Sequence, residues 1–451
     1  MRAARAAGER RVSVRKVLKF GGSSMADAKQ FAKVKSIVQS DPGRTCVVVS
    51  AAGKRNKDDH KITDLLYLCH AHVKYGVSCE GIFGMIRDRY ITIRDELGLA
   101  TPLEAAFDAL WDKLNAGISQ DELVSRGEYF AARLMADYLG FDFVDSALWL
   151  RFRLDGTVDT EQSYAALQRY AQGRRVVIPG FYGVMPDGSI KTFTRGGSDI
   201  TGALAAAALD ADVYENWTDV SGFLMADPKI VPNPEPIEHI TYAELRELSY
   251  IGAQVLHEGT IFPVREKNIP LNIRNTNQPD HPGTMIRESF EDMPEAGDRF
   301  ITGIAGRRNF TVITITKNGM SNEVGTLRRI LELMEKYNQN VDYIPSGIDC
   351  VSVVLAADRV SPCLYALLGD LQKELKPDGI HVTENMAVVA AVGRKMVFKP
   401  GISGKIFAAL GENHINIRMI TQGPEELNII VGVDNKDFEN AIRVLYNSFV
   451  K

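Results

Sequence analysis

Short apolar runs alternate with stretches of helical periodicity over most of the chain. Val14 to Phe20 reads as a strand that stops at Gly21-Gly22-Ser23-Ser24. Phe31, Val34, Ile37 and Val38 then recur at helical spacing within Asp27 to Gln39. Thr45 to Ser50 (TCVVVS) is apolar and β-branched, the pattern of a strand buried on both faces. Further runs stand at Phe141 to Val144, Arg175 to Ile178 and Ala211 to Tyr214, with helical patterns between them, notably Glu128 to Leu139 and Asp199 to Leu209. This alternation over residues 15–290 predicts an α/β fold, a three-layer αβα sandwich around a mostly parallel sheet.

Pro228 to Pro236 is too rich in proline to continue a helix or a central strand and reads as a loop. A second soft stretch, Gln278 to Gly297, marks a domain boundary. Beyond it the pattern repeats. Laying residues 325–347 over 401–423, an offset of 76, pairs Gly325 with Gly401, Ile330 with Ile406, Asn340 with Asn416, Ile344 with Ile420 and Gly347 with Gly423. Apolar strands flank both copies: Phe310 to Thr316 matches Met386 to Val392, and Asp349 to Leu355 matches Glu425 to Val431. Two copies are too few for a solenoid, so the region reads as two small α+β modules, 301–380 and 381–451, the end of the second able to complete the first.

Composition narrows the classes. A net charge of −4 on 451 residues supplies no field for nucleic acid, so a bound polyanion must be held by a few placed groups. No apolar run is long enough to span a bilayer. The five cysteines show neither CxxC nor zinc-ligand spacing, which suits reduced thiols in a cytoplasmic protein, and Cys46 reads as a small buried hydrophobe. Residues 1–14 are basic, lack a secretory core and read as a loose or misassigned extension; an organelle-targeting stretch is the alternative.

Four glycine- and hydroxyl-rich clusters carry the candidate chemistry. Lys19-Phe20-Gly21-Gly22-Ser23-Ser24 ends a strand with a fixed cation and two glycines that let the backbone approach a phosphate. Thr194-Arg195-Gly196-Gly197-Ser198-Asp199 opens an Ala-rich helix, where an N-terminus favours anions and Arg195 suits a carboxylate. Ser125-Arg126-Gly127-Glu128 reads as another helix start. Trp217-Thr218-Asp219-Val220-Ser221-Gly222 follows a strand, at the carboxyl end where open α/β sheets bind ligands. Each has a plainer reading, as a turn, a cap or a first-turn acid. Gly401-Ile402-Ser403-Gly404-Lys405 imitates a phosphate loop at the wrong spacing and falls inside the repeat.

Taken in order, KFGGSS, ITDLL (Ile62 to Leu66), SRGE, RGGSD, WTDVSG, ADP and GAQVLH (Gly252 to His257) resemble the aspartate kinases of the amino acid kinase family. The resemblance implies ATP with Mg2+ as co-substrate, L-aspartate as acceptor and no protein-held metal. It gives Lys19 and Asp199 catalytic roles, with Gly21, Gly22 and Ser23 along the phosphoryl path. Thr63, Glu128, Arg195 and Ser198 would hold aspartate, Arg195 at the α-carboxylate and Glu128 at the ammonium. Thr218, Asp219, Phe223, Leu224 and Lys229 would meet the nucleotide. Gln254 stands where many members have lysine, and Leu224 where an aromatic is common; Lys229, Lys267 or magnesium would make up the missing charge.

The C-terminal modules resemble ACT domains, which implies regulation by a feedback amino acid, lysine or threonine. Met320, Gly325, Thr326, Leu327, Val341, Asp342 and Ser346 match the effector-contacting stretch. A homodimer or dimer of dimers through these modules is expected, as is a monofunctional kinase. Two rivals remain: a glutamate or acetylglutamate kinase of the same fold, and an amino-acid sensor with a dead kinase half. SRGE and the paired modules speak against the first, KFGGSS and RGGSD against the second.

Overall fold

The apolar runs become strands β1 (Lys16–Phe20), β2 (Arg44–Val49), β3 (Asp142–Phe143), β4 (Val176–Pro179) and β5 (Val213–Thr218). With β6 (His239–Thr241), β7 (Leu271–Asn275) and β8 (Thr284–Arg287) they make an eight-stranded sheet in the order β6-β8-β7-β5-β1-β2-β4-β3. All neighbours are parallel except β7 and β8. The computed structural model describes residues 14–194, 196–252, 258–290, 300–396 and 399–450. The chain divides into two compact units. The first holds the chain up to Phe223, Glu238–Tyr242 and the segment ending at Phe290. The second holds Leu224–Ile237, the segment beginning at Ala243, and the chain from residue 300 onward.

In the first unit, strand alternation decides what each face meets. Leu18, Phe20, Val47, Val49 and Val177 point into an apolar core shared with α1 (Ala28–Gln39), α2 (Ile62–Lys74), α3 (Glu80–Glu96), α4 (Glu104–Asn115) and α5 (Gln120–Leu139). The other face is covered by α7 (Gly197–Ala208), on which α6 (Thr160–Ala171) and α9 (Glu258–Glu266) pack. Small residues let α7 lie close to the sheet: a Cβ on Gly202 would stand 2.3 Å from the Tyr214 hydroxyl. Cys46 is buried in β2 as expected, and burial pushes its thiol up to about 12. One expectation is corrected here. Ser125-Arg126-Gly127-Glu128 lies inside α5 rather than at its start, because the helix begins at Gln120, where the Ser119 hydroxyl accepts from the Glu122 amide at 3.2 Å.

The second unit includes α8 (Tyr242–Ile251), apart from its first residue, and the repeat region. There β9 (Gly303–Thr316), β10 (Cys350–Ala356), β11 (Gly379–Val392), β12 (Met419–Thr421) and β13 (Asn428–Asp434) form one antiparallel sheet, ordered β10-β9-β11-β13-β12. Helices α10 (Thr326–Lys336) and α11 (Leu364–Leu375) recur as α12 (Ile402–Glu412) and α13 (Phe438–Val450). The backbone repeats as well. Left-handed residues stand at Asn309 and Asn385, at Gly325 and Gly401, and at Asn338 and His414, each pair 76 apart. Gly325 and Gly401 are the residues preceding α10 and α12, so the phosphate-loop lookalike at Gly401 is a helix entry.

Candidate active site

Because β1, β2 and β5 run parallel in register, with Phe20 opposite both Val49 and Trp217, their carboxyl ends open at one edge of the sheet. Lys19 is the last β1 residue facing α7. Its ammonium, largely buried, lies 2.5 Å from Asp199 Oδ1 in the first turn of α7. Asn216, the register partner of Lys19 on β5, donates from Nδ2 to the same oxygen at 2.9 Å. Asp199 therefore holds Lys19 in place while Asn216 and the helix N-terminus hold Asp199. Asn216 carried no motif; only its place on β5 beside β1 reveals it.

The glycine loop passes directly over that ammonium. Gly21 donates its amide to Trp217 O at 3.0 Å, and a Cβ on it would come within 3.6 Å of Lys19 Nζ. Gly22 faces the segment after β2: Gly53 N donates to Gly22 O at 2.8 Å, and a Cβ on Gly53 would lie 2.6 Å from the Gly22 carbonyl. Ser23 is half-buried, and Ser24 Oγ bonds Thr276 Oγ1 at 2.8 Å. Gly53 is a second unpredicted member of the site.

Glu128 sits in α5 where α5 crosses α2 and the β2 end. A Cβ on Gly127 would stand 2.8 Å from Ala51 Cβ and 3.6 Å from Ile62 Cγ2, so the crossing is tight, and half-buried Thr63 follows Ile62 at the start of α2. The Glu128 side chain is buried, and its Oε2 has no hydrogen-bond partner. Burial pushes this carboxyl up to about 8, against the pull of the Ala51 amide. Oε2 of this buried carboxyl is left able to accept a hydrogen bond.

Ser198, also buried, packs against Gly180, which follows β4 and donates to Val49 O at 2.9 Å. Beside it Phe181 takes a left-handed conformation, φ 80°, rare for an aromatic residue and held by Thr201 Oγ1 accepting its amide at 3.0 Å. Along β5 and beyond, Thr218 Oγ1 donates to Asp219 Oδ1 at 3.2 Å, and Phe223 N donates to Thr284 Oγ1 at 2.8 Å. Leu224 and Lys229 belong to the second unit, where the Lys229 amide donates to Asp227 Oδ1 at 2.9 Å. Lys267 is engaged with Asp210 at 2.5 Å. Arg195 and Gln254 lie outside the described residues. One edge of the first unit thus gathers Lys19, Asp199, Gly21, Gly22, Ser198, Thr63 and Glu128.

In the second unit Met320 is part of the apolar core, Gly325 and buried Thr326 start α10, and Leu327 and Ser346 are exposed. Val341 is half-buried. Asp342 is already engaged: Arg307 donates to its Oδ1 at 3.0 Å and Tyr250 from its hydroxyl at 3.2 Å.

Residues 14–275 match the amino acid kinase family, and residues 389–449 match an ACT domain. Aspartokinase 3 of Bacillus subtilis is 34% identical over 96% of this chain and 98% of its own length. The crystal structure of Clostridium acetobutylicum aspartate kinase superposes with a TM-score of 0.89 at 46% identity, over 97% of this chain and 100% of that one. E. coli aspartokinase III in complex with lysine and aspartate superposes with a TM-score of 0.73 at 27% identity over the same shares. The chain belongs to the amino acid kinase family, as an aspartate kinase whose C-terminal part carries ACT-domain sequence.

Proposed function

We propose that the protein transfers the γ-phosphoryl group of ATP to the β-carboxylate of L-aspartate, giving 4-phospho-L-aspartate, the first step toward lysine, threonine and methionine. The observation that carries this reading is the pairing, at one sheet edge, of a buried lysine under a glycine loop with a buried, half-satisfied glutamate. The acceptor carboxylate is ionised at neutral pH, so no general base is required. What remains is to bring donor and acceptor into line and neutralise charge. Lys19 would meet the phosphoryl group in flight, steered by Asp199, with the amides of Gly21, Gly22 and Ser23 along its path. Glu128 would take the aspartate ammonium, with Thr63, Ser198 and Arg195 completing the acceptor pocket. Thr218, Asp219, Phe223, Leu224, Lys229 and Gln254 would serve the nucleotide.

Among the described residues no group of three or more His, Cys, Asp or Glu could hold a metal ion. Mg2+ would come in with the nucleotide, bound chiefly by phosphate oxygens. Residues 15–290 are assigned to catalysis and 301–451 to regulation by a feedback amino acid, lysine first. E. coli aspartokinase III has been crystallised with lysine, and Asp342 offers a carboxylate for an ammonium group here. Val324, Leu327, Ile348 and Ile420 are exposed in the ACT-like region, and a homodimer or dimer of dimers through these modules would have them available for contact. Among the described residues no helix is long and apolar enough to cross a membrane; the location proposed for this enzyme is the cytoplasm.

The test is ATP-dependent acyl phosphate trapped with hydroxylamine, run with aspartate, glutamate and acetylglutamate. Hydroxamate from aspartate alone is expected. Hydroxamate only from another acceptor, or none from any, overturns the reading.

A further inference from the structure

Arg89 on α3 is buried, yet it belongs to none of the motifs given roles above. Its Nη1 donates to Gly53 O at 2.9 Å and reaches Ala26 O at 3.5 Å. Its Nη2 lies 2.7 Å from each oxygen of Asp59. Asp59 also accepts from Arg55, Nε at 2.9 Å and Nη2 at 3.1 Å, and Ile62 N donates to Ala52 O at 3.1 Å. The loop between β2 and α2 is thereby folded back on itself and tied to α3 through one guanidinium.

A charged group buried at this depth is costly unless its bonds are used, and an apolar side chain would fill the same space more cheaply. The use lies at Gly53. Its carbonyl is held by Arg89 while its amide holds Gly22 O at 2.8 Å. The two backbones touch so closely that a Cβ on Gly53 would stand 2.9 Å from Ser23 N. Gly22 and Ser23 follow Gly21, which lies over the Lys19 ammonium. The neighbouring Tyr90 serves the acceptor side instead, donating to Gly127 O at 2.7 Å and accepting from Ala52 N at 3.4 Å.

We propose that Arg89 is a positioning residue for phosphoryl transfer: by fixing Gly53 against Gly22 it sets where the glycine-loop amides stand relative to Lys19. This rests on the kinase reading above. Because Arg89 bonds Gly53 directly and reaches Glu128 only through Ala51 of the same loop, its loss should lower kcat far more than it raises KM for aspartate.

Three variants of the full chain test this: Arg89→Lys, Arg89→Met combined with Asp59→Asn so that Asp59 is not left as a buried carboxylate without Arg89, and Gly53→Ala, which parts the two loops without touching Arg89. Each is measured for kcat, KM for aspartate and melting temperature. The expected result is a kcat lowered about tenfold to a hundredfold, the scale of an ångström of misplacement, with KM for aspartate within about threefold. A folded Arg89 variant with kcat within about twofold of the unaltered protein overturns the proposal, as does a kcat loss matched by an equal rise in KM. If both Arg89 variants fail to fold, Gly53→Ala decides: a loss confined to kcat supports the proposal and an unchanged kcat overturns it. Absence of acyl hydroxamate from the unaltered protein overturns the kinase reading itself, and the proposal with it.

Discussion

Replacing Glu128 with Gln separates the burial of this side chain from its charge. In the free protein, burial moves the carboxyl from 4.5 to about 8, and Oε2 finds no partner to offset the loss of water. The folded state therefore retains a proton that the unfolded chain gives up at its ordinary, lower pKa. The stabilisation from that proton is complete below about pH 4.5 and is lost as pH rises through about 8. The full shift corresponds to about 5 kcal/mol, at 1.36 kcal/mol per unit. Glutamine fills the same space and does not titrate. Denaturant midpoints of the aspartate-free protein, followed from about pH 5 to pH 9, should show Glu128→Gln gaining on the parent as pH rises, since other groups cancel in the difference. Aspartate binding adds a second readout. An ammonium placed on Oε2 favours the ionised carboxylate, so binding at neutral pH should release a proton in calorimetry run in buffers of different ionisation enthalpy. Glu128→Gln should release none and bind aspartate more weakly. Parallel stability curves, with equal proton release by both proteins, would refute the reasoning.

Other expectations follow from the same geometry. Lys19→Ala should cut turnover by about a hundredfold or more, the scale of one transition-state contact, in a steady-state ADP-release assay; a near-normal rate removes Lys19 from the role. At the proposed effector site Arg307 would compete with the lysine ammonium for Asp342, so Arg307→Met should lower the lysine concentration needed for half-inhibition severalfold, while Asp342→Asn should abolish inhibition. Saturating lysine without effect beside inhibition by threonine would reassign the effector. Glu215 is buried and bonded by Arg44 at 3.0 and 3.2 Å, so Glu215→Gln should destabilise the first unit by about 3 kcal/mol in thermal unfolding; an unchanged melting temperature contradicts that pairing.

Much of this architecture was legible because strands buried on both faces must be continuous apolar runs. TCVVVS and the run before Ile178 could be little else, and β2 and β4 stand within about a residue of those positions. Strands β9 and β11 were seen only in half. Each is 14 residues long, and the expected half begins just past the left-handed Asn309 or Asn385; the half before it is interrupted by polar residues, Arg307 and Arg308 in β9 and His381, Thr383 and Glu384 in β11, and shows no long apolar run. The position of SRGE was misread although the capping signal at Ser119 and Glu122 was present upstream. Of the proposed site, residues that announce themselves by type were legible: a lysine beside glycines, an acid at a helix start. Asn216, Gly53 and Arg89 were not, because their roles arise from strand register and from contacts between segments distant in sequence. Nor could composition show that Leu224–Ile237 would cluster with the second unit, since that follows from packing alone.

A crystal structure of the protein with aspartate and ADP tests the central assignment most directly. The account predicts the aspartate ammonium on Glu128 Oε2 at about 3 Å and the Lys19 ammonium between the aspartate β-carboxylate and the terminal phosphate. Aspartate bound away from Glu128, or a nucleotide whose phosphates point away from Lys19 and the glycine loop, would contradict it.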